Sequence, residues 1–445
     1  METIREKRNI LCFIISYVIN NLASGVLYDT YVNYLQEVQV SIATSFWAFY
    51  GYATFISALL LLAVPKIGYK KLLLFCSLGT SFAFFGAIFL QYDWVLYAAT
   101  LLALTGVQLH FIMLSPFIAC YTEHLGLKKI NWYTRTYYMG YIGYFIATYL
   151  GGAFVVKAFS MVSGITYSAA QEATRYITQL SNAMYANYMM GNEFVLFLFG
   201  CISLISLIPV LFIKEKKEDF MTHEFQEKIS WKQKIRGISE VLLNRYSRAY
   251  LLYWALISFA MGLFTSYYTV YLNRNLHIDK ATSSLIVSIS YIAIVLFMFF
   301  TPKCVKRFGK VGTIFFTVMA SIPFMILIGC GNYLGDFVVP VVGGALFIRA
   351  GLANLSSPVD SSLSMDVIPK SIRPIYTSLV NFMAGIVSIL SGYFTGGYLF
   401  LEQSGYQKAY FIAAGLYAVA GIVLYKGLHS FNHKEDQIVK QEESL

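Results

Sequence analysis

Apolar residues in this chain come in long blocks rather than at the period of a half-buried strand or a surface helix. Twelve blocks stand out, at 9–34, 41–64, 72–90, 94–118, 132–156, 192–213, 250–273, 282–301, 312–330, 336–357, 375–400 and 408–426. Each is close to the length that carries a helix across about 30 Å of hydrocarbon. The pattern predicts an all-α membrane protein of twelve transmembrane helices. The first block is too long for a cleaved leader, has no small-residue cleavage site and is interrupted by Asn20, Asn21 and Asp29, so it reads as a span.

Composition agrees: of 445 residues, 58% are hydrophobic and only 13% charged, against about a quarter charged in a soluble chain. Charge then fixes an orientation. With the N-terminus inside, 27 of the 33 Lys and Arg fall on the inner segments and five (Lys157, Arg175, Arg274, Lys280, Lys408) on the outer ones, with Arg349 inside a span. This positive-inside bias predicts a multi-pass protein of the plasma (cytoplasmic) membrane with both termini cytoplasmic. It also accounts for the net charge of +10 through anionic lipid headgroups, with no nucleic-acid partner. The six cysteines form neither a CxxC nor a Cys/His cluster, so no metal site or disulfide framework is expected. No cofactor is implied.

The chain repeats itself at an offset of about 240. YDTYVN (28–33) pairs with YTVYLN (268–273), PKIGYKK (65–71) with VKRFGKV (305–311), Ser115-Pro116 with Ser357-Pro358, and ATYLGG (147–152) with GYFTGG (392–397). Four pairings in one order point to duplicated six-helix halves. The expected organisation is two pseudo-symmetric six-helix bundles, 1–213 and 249–427, a cytoplasmic linker at 214–248 and a tail at 428–445. The linker opens KEKKED and puts Trp231, Ile235, Ile238 and Val241 on one helical face. That pattern suits a helix lying along the inner membrane surface or one that binds a partner.

On these features the chain resembles the major facilitator superfamily over nearly its whole length. The resemblance implies two bundles rocking about a central site, with the 2–3 and 8–9 loops as gates. The gating candidates are Gly68, Lys70 and Lys71, with Arg307, Gly309 and Lys310. The acidic position of the family's G-x-x-x-D-R-x-G-R-R signature is Pro65 in one half and Lys306 in the other. Glu123 and Asp366, at neighbouring inner ends, are candidates to replace it. The exporter signature G-P-x-x-G-G reads Ala147-Thr148-Tyr149-Leu150-Gly151-Gly152, without its proline.

In this family the first, fourth, seventh and tenth helices line the cavity. The duplication maps Arg349 onto Gln108, and each shares a face with a serine seven residues on, Ser356 and Ser115. Candidate substrate ligands are Arg349, Gln108, Asn20, Asn21, Tyr28, Tyr141, Tyr268 and Asn381. Arg349 reads either as a ligand for an anionic or hydrogen-bonding group, or as a fixed tie between helices. Asp29, the one carboxylate well inside a span, is the candidate for coupling to a proton, or else an outer-end residue in contact with water. His110, among apolar neighbours, reads as a packed histidine. Thr134, Tyr137, Tyr141, Tyr144 and Thr148 share a stripe that suits a sugar, an amphipathic drug or plain helix packing. The long outer segment 157–191 carries helical spacing and reads as a cap on the cavity mouth or a passive surface helix.

The spans carry no converging acid–base set, so no enzyme is expected, and no GxxxxGK[ST] loop supplies ATP. The reading is a secondary transporter, monomeric, working on a small molecule in the bilayer. The run RAGLANLSSPVDSSLSMDVIPKSIRP (349–374) resembles bacterial multidrug-efflux permeases and leans toward ion-coupled export of an amphipathic compound. The alternatives are uptake or exchange of a sugar or organic anion, a lipid-linked substrate, and a non-transporting sensor on the same fold.

Overall fold

A computed structural model describes residues 4–61, 63–122, 129–220, 239, 242–367 and 373–432. Twelve helices follow the twelve predicted blocks: α1 Ile4–Val38, α2 Phe46–Leu61, α3 Tyr69–Phe89, α4 Asp93–Thr122, α5 Lys129–Ser163, α6 Asn182–Leu211, α7 Arg245–Asn275, α8 Lys280–Met298, α9 Thr301–Gly329, α10 Gly335–Ser361, α11 Arg373–Gly397 and α12 Ser404–Leu428. Among the described residues, eleven are long and apolar enough to cross a membrane, and α2 is the shorter one. Glu123 and the linker face Trp231, Ile235, Ile238 and Val241 lie outside the described residues.

The chain divides into two compact units. The first takes residues 1–228, 266–291 and 392–401, and the second takes 229–265, 292–391 and 402–445. The N-terminal bundle therefore clusters with the last part of α7, the first part of α8 and the end of α11. Inside the first unit, α1 packs on α4, α5 and α6, and α3 is held between α4 and α6. Inside the second, α9 packs on α10 and α12, and α7 on α12.

The paired signature loops are built alike. Gly68 and Gly309 both take positive φ, +82° and +74°, a conformation glycine reaches without a Cβ penalty. Each is braced by the chain leaving the sixth helix of its half. Lys70 Nζ donates to the carbonyls of Leu211 (2.7 Å) and Ile213 (2.9 Å), and its backbone N–H donates to Glu215 (2.6 Å). In the other half, Gly312 N–H donates to Asn432 Oδ1 (2.8 Å) and Asn432 Nδ2 donates to the Phe308 carbonyl (3.0 Å). Lys71 and Arg307 are exposed, and Lys310 N–H bonds the Asn432 carbonyl at 3.3 Å. Glu215, which follows α6, puts a carboxylate beside a loop whose signature acid is missing.

Asp219 ties this segment to the start of α1. Arg5 reaches it with Nη1 at 2.5 Å and Nη2 at 3.0 Å, and Asn9 trades two hydrogen bonds with the backbone of Lys214. Burial pushes the Asp219 carboxyl up, but the Arg5 guanidinium and the Lys216 backbone N–H outweigh it and hold it below the usual range. A depressed carboxylate stabilises above its unfolded pKa, and that stability is lost as pH falls through the folded value. Asp219→Asn is expected to cost about 1–3 kcal/mol at neutral pH. The difference from wild type in thermal unfolding should begin to shrink near pH of about 4 and vanish only below the lowered folded value.

Candidate functional site

The site is built on a break in α1. Residues Leu27–Tyr31 form a π-helical turn, and Tyr271–Asn275 form another at the equivalent end of α7, so the duplicated YDTYVN and YTVYLN stretches share a distortion. Such turns widen the helix and re-aim a side chain. The one re-aimed here is Asp29, which is 1% exposed and so is not in contact with water. Lys280 Nζ donates to Asp29 Oδ1 at 2.8 Å, and Ser284 Oγ donates to Oδ2 at 2.8 Å.

Lys280 departs from the sequence reading, which counted it as an outer-loop cation. It is the first residue of α8 and 0% exposed. A lysine is almost never fully buried without a partner, and here the partner is Asp29. The local signal is Asp279, whose Oδ1 accepts from the Thr282 N–H (2.9 Å) as a helix N-cap. That cap starts the helix at Lys280 and puts Ser284 one turn on, on the same face. Close approach of α8 depends on Gly152, because a Cβ there would collide with the Ser284 side chain. The Gly151-Gly152 pair of the fifth span thus makes room for the ion pair.

Beside this pair lies a cluster of phenols and amides. Gln108, buried on α4, is in polar contact with Tyr28 and Tyr50. Tyr144 of α5 stacks on Tyr291 of α8 with centroids 5.3 Å apart, and Tyr28 lies 6.5 Å from Tyr144. Tyr291 also neighbours Asp29, Tyr268 and Tyr141. All these tyrosines are half-buried. Asn20 and Asn21 are buried below them: Asn21 Nδ2 bonds the Tyr17 carbonyl of its own helix at 2.8 Å, while Asn20 Oδ1 has no hydrogen-bond partner among the described residues.

Of the predicted ligands, Gln108, Tyr28, Tyr141 and Tyr268 gather at this cluster, with Asn20 and Asn21 in the same unit. Tyr50, Tyr291 and Lys280 were missed. The α5 stripe divides: Tyr141 and Tyr144 join the cluster, Tyr137 is exposed, and Thr148 is buried against the Gly25 carbonyl of α1. His110 is packed, edge-on to Phe13 (5.3 Å) and Tyr17 (5.6 Å). Arg349 and Asn381 belong to the second unit. Asn381 is exposed. Arg349 is 4% exposed, with Nη2 donating to the Tyr417 hydroxyl (2.7 Å) and Cζ 4.5 Å from the Phe264 ring centroid. The guanidinium is thereby held between rings of α7 and α12.

Segment 157–191 is not one helix. α5 runs to Ser163, Gly164 at φ +65° ends it, and a short helix Tyr167–Ala173 and a turn Ile177–Gln179 precede α6.

Cutting the central ion pair on one side leaves a buried charge, at a cost of about 3–5 kcal/mol. Lys280→Met and Asp29→Asn are each expected to lower the melting temperature strongly. The double variant should recover most of the loss, because two neutral groups of similar shape remain.

A family model described as Major Facilitator Superfamily matches residues 139–392, more than half of the chain. No curated protein matches it in sequence. Solved structures that are similar include the nucleoside transporter NupG (TM-score 0.68, 16% identity, 94% of this chain and 98% of that one). A D-xylose-proton symporter is similar at TM-score 0.67, 14% identity and 94% and 98% coverage. The xylose transporter XylE from E. coli, in a partially occluded inward open conformation, is similar at 0.61, 13%, 95% and 98%. These likenesses are of fold.

Proposed function

We propose that this chain, which belongs to the Major Facilitator Superfamily, is a secondary transporter that takes up a neutral, hydroxyl-bearing small molecule such as a sugar or nucleoside. The carrying observation is the cluster of Tyr28, Tyr50, Gln108, Tyr144 and Tyr291. It offers hydroxyl and amide hydrogen bonds and aromatic faces, while the one nearby carboxylate is already matched by Lys280. Such a lining suits a polar ring better than a lipophilic cation, which favours an unpaired carboxylate or a wholly aromatic cage. The similarity to nucleoside and xylose transporters supports this choice. The sequence's lean toward export rests on the 349–374 run alone.

In this reading Gln108, Tyr28, Tyr141 and Tyr268 contact the substrate and Asn20 and Asn21 support them. Asp29 is the coupling group, because a proton and Lys280 compete for the same carboxylate. Arg349 ties α7, α10 and α12 together. The protein works as a monomer in the plasma membrane with its basic loops and both termini in the cytoplasm.

The test is ligand-induced thermal stabilisation of the purified protein with sugars, nucleosides, organic anions and lipophilic cations. Stabilisation by sugars or nucleosides is expected, and Gln108→Ala should weaken it about tenfold or more through the loss of one or two hydrogen bonds to the ligand. Stabilisation by lipophilic cations alone would restore the export reading. Arg349→Gln is expected to lower the melting temperature while leaving ligand affinity within about twofold. A selective loss of affinity would return Arg349 to the ligand set.

A further inference from the structure

We infer that residues 164–181, between α5 and α6, form a strap that positions Lys280 for Asp29 and must release the α7–α8 turn in each transport cycle. The inference rests on the alternating-access reading above.

The strap holds the turn at three points. Thr174 Oγ1 accepts from the backbone N–H of Lys280 at 3.0 Å. This is the first N–H of α8, which the helix itself leaves without a partner. The Thr174 carbonyl accepts from Asn273 Nδ2 at 2.8 Å, and the same Nδ2 donates to the Ile278 carbonyl at 2.8 Å, so one amide bridges strap and turn. Gln171 Nε2 donates to Asp279 Oδ1 at 2.9 Å, the atom that also caps α8. Beyond these bonds, the Tyr176 ring stacks on His277 at 5.0 Å. His277 is the one described non-glycine residue at positive φ, +51°. The ring thus covers the strained residue on which the turn reverses.

What the strap fixes is the origin of α8. Lys280 is its first residue, so the direction of the ammonium follows from where that backbone N–H is pinned. Thr174 is therefore a positioning residue for the ion pair, acting at the backbone of the lysine and not at its charge.

The character of the strap argues for release. Most of residues 164–169 are exposed, and only Ala170, Thr174 and Ile177 are buried. Its grip is polar, and such bonds exchange for water at small net cost. A permanent brace would bury an apolar face instead.

The experiment measures backbone hydrogen exchange over the first two turns of α8 in the full chain, reconstituted in liposomes, alongside uptake. Thr174→Val and Gln171→Ala are expected to speed exchange there about tenfold, with helices remote from the turn unchanged. Unchanged exchange over α8 would overturn the positioning role. In Gln171→Cys/Thr282→Cys, a disulfide-containing bis-maleimide should slow that exchange and stop uptake, and reduction should restore both. Wild type treated with the same reagent is the control. Normal uptake by the cross-linked protein would overturn the need for release. If wild type carries no substrate of the panel, the transport reading fails separately, while exchange still decides whether the strap sets α8.

Discussion

A carboxylate and an ammonium withdrawn from water each carry a desolvation penalty of several kcal/mol even after relaxation. Asp29 and Lys280 therefore hold one another in place, and much of the local architecture exists to let them meet. The π-turn in α1 aims the carboxylate, Gly152 admits α8, the Asp279 cap starts that helix at the lysine, and Ser284 occupies the second oxygen. Any state that separates α1 from α8 must first supply water, a proton or another partner to both charges. The pair is thus a threshold as well as a contact.

The two units treat their buried charge differently. In the first, opposite charges neutralise each other beside a polar cluster. In the second, Arg349 lies against the Phe264 and Tyr417 rings and donates to the Tyr417 hydroxyl. Arginine suits that role because its flat, weakly hydrated cation stacks. The duplication that matches Arg349 with Gln108 by sequence thus relates two positions with different local chemistry.

Twelve spans were legible because apolar length is a one-dimensional property that bilayer thickness reads directly. The duplicated motifs were legible too: Gly68 and Gly309 adopt the same left-handed backbone, and the paired stretches around Tyr28 and Tyr268 both lead into π-turns. Lys280 was not, because a cation next to an apolar block looks like a loop residue until its partner, 251 positions away, is known. Tyr50 and Tyr291 were hidden among 35 tyrosines, since which face of a span points inward depends on tertiary packing. The outer segment misled for a related reason: the helical spacing of Ala173, Tyr176, Ile177, Leu180, Met184 and Tyr188 ran across Ser181, the cap at which α6 begins.

The bracing of Gly68 and Gly309 by the chain that leaves α6 and α12 bears on how the molecule is handled. Asn432 lies four residues past the end of α12, yet it supplies hydrogen bonds on both sides of the α9 kink. A reporter or affinity tag joined ahead of it would remove that clasp and leave the Gly309 loop without its support. Joined after it, the same tag would leave the clasp in place. The position of a fusion junction within a few residues would then decide whether a labelled protein reports native loop behaviour or its own damage.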